Sequence, residues 1–170
     1  MTQYLIKLVD HDTGMTPEHA NRMTRAIQDL FNQVFEGTPD SASLLWGKGT
    51  TSDNIVLHFV ANVTKSYLQS VMPGKPLALG ISGHTRLHNR VTCSEFYRYT
   101  WQEGDWHSHN AHDNAKNALH EVMHNVFPAW SEEEIAKTGG LGLQPAKTPI
   151  TELNKQHIRK GIAIKNIQQL

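Results

Sequence analysis

The stretch His120-Glu121-Val122-Met123-His124 constrains this chain more than any other. Side chains four apart share one face of a helix, so a helix here aims two imidazoles at one place. Imidazole is a common zinc ligand, and a carboxylate beside the first histidine can act as general base on water activated by the metal. With 11 histidines in 170 residues, chance alone yields about 0.04 such motifs in a chain of this composition, so the flanking sequence must also fit. At ~100° per residue, His120, His124 and Glu121 fall at roughly 0°, 40° and 100° around the helix. Ala115, Ala118, Leu119, Val122, Met123 and Val126 fall at roughly 160–300°. An apolar face opposite a polar arc is expected of a helix that packs on a core and turns its histidines into a cleft. The alternative is a surface helix with exposed histidines.

The chain is long enough to bury a core without staples, and 38% hydrophobic residues suit one soluble domain over 1–170. Sixteen basic residues balance sixteen acidic ones. No basic block marks a nucleic acid or an anionic membrane as partner. The opening residues lack a basic start and a long apolar run, so no secretory signal or membrane span is read there and a cytoplasmic site is the default expectation. A precursor or export without a signal stays open. Cys93 is the single cysteine, which excludes an intramolecular disulfide.

Strand and helix patterns alternate. Tyr4 to Val9 reads as a strand. Thr16 and Pro17 open a helix with N-cap and first-turn proline; Ala20, Met23, Ile27, Leu30, Phe31 and Val34 give it one buried face, and Gly37 and Pro39 end it. Ser43 to Trp46 and Asn54 to Val60 read as strands, Thr64 to Met72 as a short helix, and Leu77 to Ile81 and Val91 to Trp101 as two further strands joined by a polar loop from Ser82 to Arg90. The motif helix is expected from about His112 to Phe127, stopped by Pro128. Glu132 to Lys137 reads as a short helix with a Ser131–Glu134 capping box. Gly139 to Gly142 reads as a flexible connector and Thr151 to Gln168 as a final helix, which Gly161 weakens.

The motif within this element order resembles the zincin metallopeptidases. The resemblance covers residues 1–127 in outline and His120, Glu121 and His124 specifically. It implies an α+β fold in which a mixed β-sheet packs on a long N-terminal helix and on the HExxH helix, followed by a smaller helical part. It also implies Zn2+ as cofactor, His120 and His124 as ligands, Glu121 as catalytic base, and a peptide or protein as substrate. The metzincin branch continues HExxHxxGxxH, but Phe127 and Trp130 stand at the glycine and third-histidine positions and no methionine follows Met123. An aspartate ligand of the aspzincin kind has no source downstream, since the last aspartate is Asp113. A gluzincin-like glutamate remains: Glu132, Glu133 or Glu152, with Glu134 committed to its cap. Glu133 is taken as the expected third ligand. Glu132 or Glu133 needs a sharp turn near Pro128 to return to the metal.

Other third ligands stay open. His157 lies on the final helix, and His107, His109 and His112 precede the motif; each also reads as ordinary polar surface. Cys93 resembles the upstream cysteine ligand of peptide deformylases, although the glycine-rich motif of that family is missing and Thr92-Cys93-Ser94-Glu95 departs from its context; a core cysteine is the plainer role. Asp113 and Asn117 share the polar arc of the motif helix and are candidates to orient an imidazole. The expected activity is peptide hydrolysis with zinc. The alternatives are another metal-dependent amide hydrolysis of deformylase type, or a zincin fold kept as a non-catalytic binding module. Oligomeric state is not readable.

Overall fold

A computed structural model of the chain describes residues 1–11, 14–48, 53–60, 91–95, 108–127, 129–143 and 148–168. In order they form β1 (Gln3–His11), α1 (Pro17–Phe35), β2 (Ser41–Trp46), β3 (Ile55–Val60), β4 (Val91–Glu95), α2 (Ser108–Val126), α3 (Glu132–Ala136), a 3-10 turn (Gly140–Gly142) and α4 (Glu152–Gln168). This is an α+β architecture. The expected helix at 64–72, the strand at 77–81 and the loop at 82–90 lie outside the described residues.

Alternation in β1 sets the sheet. Tyr4, Ile6 and Leu8 are buried while Gln3 and Leu5 face out, the period of two that half-buried strands require. The sheet order is β2-β1-β3-β4. All three described pairings are parallel, with Ile6 opposite Leu44 on one side and Ile55 on the other. A mixed sheet was expected; the described strands are parallel throughout, and for the β1–β2 pair the crossover is α1, which carries the chain from the end of β1 back to the start of β2. The stagger is considerable: β2 pairs with residues 3–8 of β1 and β3 with residues 6–11. Asn54 fixes it, its backbone N–H donating to the Leu5 carbonyl (2.9 Å) and its Oδ1 accepting from the Leu5 N–H (2.7 Å).

α1 begins as the sequence implies. The Thr16 hydroxyl accepts from the His19 N–H, and the His19 ring accepts from the Thr16 N–H, closing a capping box with histidine in the place usually held by glutamate. At its other end Arg159 of α4 donates to the Val34 carbonyl at 2.7 Å, satisfying one of the unpaired groups of the last turn.

α2 starts at Ser108, one turn earlier than expected, and ends at Val126. Its apolar arc is the one its periodicity marks: Ala115, Ala118, Leu119, Val122, Met123 and Val126 are all buried. They join Met23, Ile27 and Phe31 of α1, Ile6, Leu8, Leu57 and Phe59 of the sheet, and Ile158 and Ile162 of α4 in one hydrophobic cluster. α2 therefore contacts α1, β4, α4 and the 3-10 turn. The polar arc of α2 is left at the side where α3 and the 3-10 turn pack.

The Gly139–Gly142 segment is not a flexible connector. Gly140, Leu141 and Gly142 are buried. A Cβ on Gly142 would run into the Ile135 carbonyl, and one on Gly140, whose φ is +46°, would run into Asn154 and the Pro149 carbonyl. These glycines serve close backbone approach. Among the described residues no helix is long and apolar enough to cross a membrane.

Candidate metal centre

His120 and His124 lie one turn apart on the polar arc of α2, and their side chains are only 12% and 8% exposed. Leu119, Val122 and Met123 anchor the opposite face in the core, so the backbone under both rings is fixed. After Val126 the chain turns, with the Trp130 N–H donating to the Phe127 carbonyl at 3.0 Å. Ser131 then caps α3: its Oγ accepts from the Glu134 N–H (3.1 Å) and Glu134 Oε1 accepts from the Ser131 N–H (3.2 Å). That box places Glu132 at the first helical position, facing back to α2.

The Glu132 carboxylate spans the two imidazoles. Oε1 lies 3.0 Å from His120 Nε2, and Oε2 lies 2.6 Å from His124 Nε2. The expected residue was Glu133; the turn and the cap bring Glu132 to the pair instead. The phase of α3 decides this, since successive residues differ by ~100° around a helix. Glu152 is exposed and pairs with Arg159 at 3.2 Å, away from the imidazoles. His157 is buried with its Nε2 donating to the Met123 carbonyl at 2.9 Å, so it is committed elsewhere. Cys93 falls on β4, His109 and His112 fall on the first turns of α2, and His107 lies before it; their side chains are outside the described residues.

The far nitrogens of the rings decide what the near ones can do. His120 Nδ1 lies 2.7 Å from the Leu141 carbonyl oxygen. A carbonyl only accepts, so Nδ1 carries the proton, and the Nε2 of the neutral ring is a lone pair. His124 behaves alike. Burial pushes its pKa below the usual histidine value, opposed by the hydrogen bond and charge of Glu132 and by a hydrogen bond to the Trp130 backbone; His120 nearby adds to the lowering. A backbone bond that favours the protonated ring is one to which the ring donates, and with Nε2 facing Glu132 that donor is Nδ1. Two lone pairs thus face a carboxylate that also offers only lone pairs. Such a set is held together by a positive charge among the three: a proton on a ring, or a metal ion.

The donor set fits a metal ion. Two imidazole nitrogens and one carboxylate oxygen lie within 4.8 Å of one another, and a cation ~2.0–2.2 Å from each requires neighbouring atoms to be of this order of separation. Neutral imidazoles with the remote N–H bound to a backbone carbonyl are the ordinary state of ligating histidines. Three protein ligands leave a fourth position open, the arrangement of catalytic rather than structural zinc. Glu121, expected as base, stands beside His120 on α2; it is half-buried, with its Oε2 shielded from solvent.

Sequence reasoning missed the outer partners. Asp113 and Asn117 were candidates to orient the rings, but the partner of His120 is the Leu141 carbonyl, 21 residues downstream. A backbone carbonyl leaves no mark in a side-chain pattern. The only available signal was the glycine density around Leu141, which reads equally as a loop. Comparison with known protein families and with curated proteins finds no match.

Proposed function

We propose that this protein is a zinc metallopeptidase with a zincin-like arrangement, in which His120, His124 and Glu132 bind the metal and Glu121 is the general base. The carrying observation is the convergence of His120 Nε2, His124 Nε2 and the Glu132 carboxylate, with Leu141 fixing the tautomer of His120. The long α1 and the buried apolar face of α2 support the same reading. A third donor from the segment after the motif favours it over the deformylase-like reading, which draws on Cys93.

Zinc bound there would supply a Lewis acid, acidifying water and polarising the carbonyl to be attacked. The chain's own residues do the rest. The Leu141 carbonyl holds the proton of the neutral His120 ring on Nδ1, which leaves Nε2 of His120, beside that of His124, to bind. Glu121 takes a proton from the attacking water and passes it to the leaving amine as the C–N bond breaks.

The test is metal content by elemental mass spectrometry on tag-free protein, followed by hydrolysis of a peptide library. Wild type is expected to hold about one zinc per chain, and His120→Ala to lose it. Glu121→Gln is expected to keep the metal and lose about 10²–10⁴-fold in turnover. Wild type that takes up no zinc even when supplied with it overturns the proposal. Full turnover in Glu121→Gln overturns the base assignment alone.

A further inference from the structure

Asn154 is completely buried, and every hydrogen-bonding group of its side chain is engaged. Its Oδ1 accepts from the Leu141 N–H and from the Thr151 N–H, both at 2.9 Å. Its Nδ2 donates to Thr138 Oγ1 at 2.9 Å and to the Gly139 carbonyl at 3.1 Å. The backbone around it is shaped to admit it, since a Cβ on Gly140 would collide with Oδ1. Thr151 completes the arrangement: its hydroxyl accepts from the Asn154 N–H at 3.1 Å and donates to the Thr138 carbonyl at 2.9 Å. The first turn of α4 therefore grips the segment 138–141 at four points.

That segment ends on the Leu141 carbonyl, the acceptor for His120 Nδ1. One amide side chain thus holds the N–H of the same residue whose carbonyl sets the tautomer of a candidate metal ligand. The neutral histidine side chain in water favours the proton on Nε2, the wrong nitrogen for binding a metal through Nε2. Something must hold the Leu141 carbonyl against that preference, and the described structure offers Asn154.

We infer that Asn154 is a positioning residue of the metal centre, acting through Leu141 to keep His120 in the Nδ1–H form with Nε2 free to bind. The inference rests on the proposed metal site, but its first readout does not. At mildly alkaline pH and without metal, the nitrogen chemical shifts of selectively labelled histidine report which ring nitrogen of His120 carries the proton.

Three variants separate positioning from mere support. Asn154→Ala removes every bond. Asn154→Asp keeps the carboxylate oxygens that accept from Leu141 and Thr151 and loses the two donated bonds. Arg159→Ala loosens α4 from the Val34 carbonyl of α1 without touching the 138–141 segment. Wild type and Asn154→Asp are expected to show the Nδ1–H form of His120, whereas Asn154→Ala shifts toward Nε2–H. In competition with a chromophoric chelator, Asn154→Ala is expected to bind zinc about 10–100-fold more weakly, with Asn154→Asp recovering most of that loss and Arg159→Ala changing affinity less than about threefold, as expected for a site it does not touch. If Asn154→Ala does not fold, Asn154→Ser takes its place with the same expectations, its hydroxyl being too short to reach Leu141. An unchanged His120 tautomer in the folded alanine or serine variant overturns the inference. Equal loss in the alanine and aspartate variants also overturns it, because support alone would then suffice. Absence of zinc from wild type with the tautomer shift intact sinks the metal reading and leaves the positioning role standing.

Discussion

Glu132 and Glu133 are adjacent, exposed and chemically identical, and both sit in the first turn of α3, where a negative charge favours the helix. Removing either costs that helix about the same few tenths of a kcal/mol, which makes Glu133 a matched control. Of the two, it is Glu132 that reaches the imidazoles. Glu132→Ala is therefore expected to weaken zinc binding by more than about a hundredfold, beyond what changes outside the ligand set usually cost, while Glu133→Ala stays within about threefold, the scale of a small surface change. Competition titration with a chelator reads both, and a larger loss in Glu133→Ala would mean that the turn at Trp130 delivers the wrong residue. His120, Glu121 and His124 were legible because their spacing alone puts them on one arc. The choice between Glu132 and Glu133 was not, because a 100° difference on a five-residue helix depends on where the chain emerges from the turn before it. Glu134 was legible, since its cap is a local pattern with Ser131.

At the scale of elements, periodicity located the long helices and the strands that fall among the described residues, and it erred where glycine was involved. Gly161 reads as a weakness in a helix, yet α4 runs unbroken through it. It is the point where α4 meets the end of α2: a Cβ there would press into Val126 and close on Phe127. Alanine would add up to about 1 kcal/mol of helix propensity. Forcing a methyl into that contact is expected to cost about 1–3 kcal/mol. The packing term is the larger because Val126 is fixed in the core, so denaturant unfolding of Gly161→Ala should show stability lower by a net of up to about 2 kcal/mol. A more stable Gly161→Ala protein would mean that α2 and α4 have room to separate. The glycines at 139–142 repeat the lesson. They read as slack and are instead the closest-packed backbone beside the site.

Across the whole molecule the candidate centre lies at the junction of α2, α3, the 3-10 turn and α4, so its order depends on the final helix. His157 ties that helix to α2. Its Nε2–H donates to the Met123 carbonyl, and its ring sits edge-on to Phe127 and Trp130 with centroids 4.8 and 4.6 Å away. Its Nδ1 is buried with no hydrogen-bond partner among the described residues. Protonation would place an unmatched donor and a charge there, so burial foremost, with some repulsion from His124, holds its pKa below the usual 6.5 despite the favourable Met123 bond. The sign follows from linkage. As pH falls from 6.5 toward the lowered native value, the unfolded chain takes up a proton that the folded chain refuses, and stability declines over that window. His157→Gln keeps a donor for the Met123 carbonyl and cannot titrate. Denaturation of chelator-treated protein at several pH values should therefore give a steeper loss on acidification for wild type, by up to about 1.4 kcal/mol per pH unit within the window. Chelation keeps metal release from the ligand histidines out of the comparison. Parallel profiles for the two proteins would mean that His157 is charged or free to charge in the native state, and that its place between the two aromatic rings is held open to water.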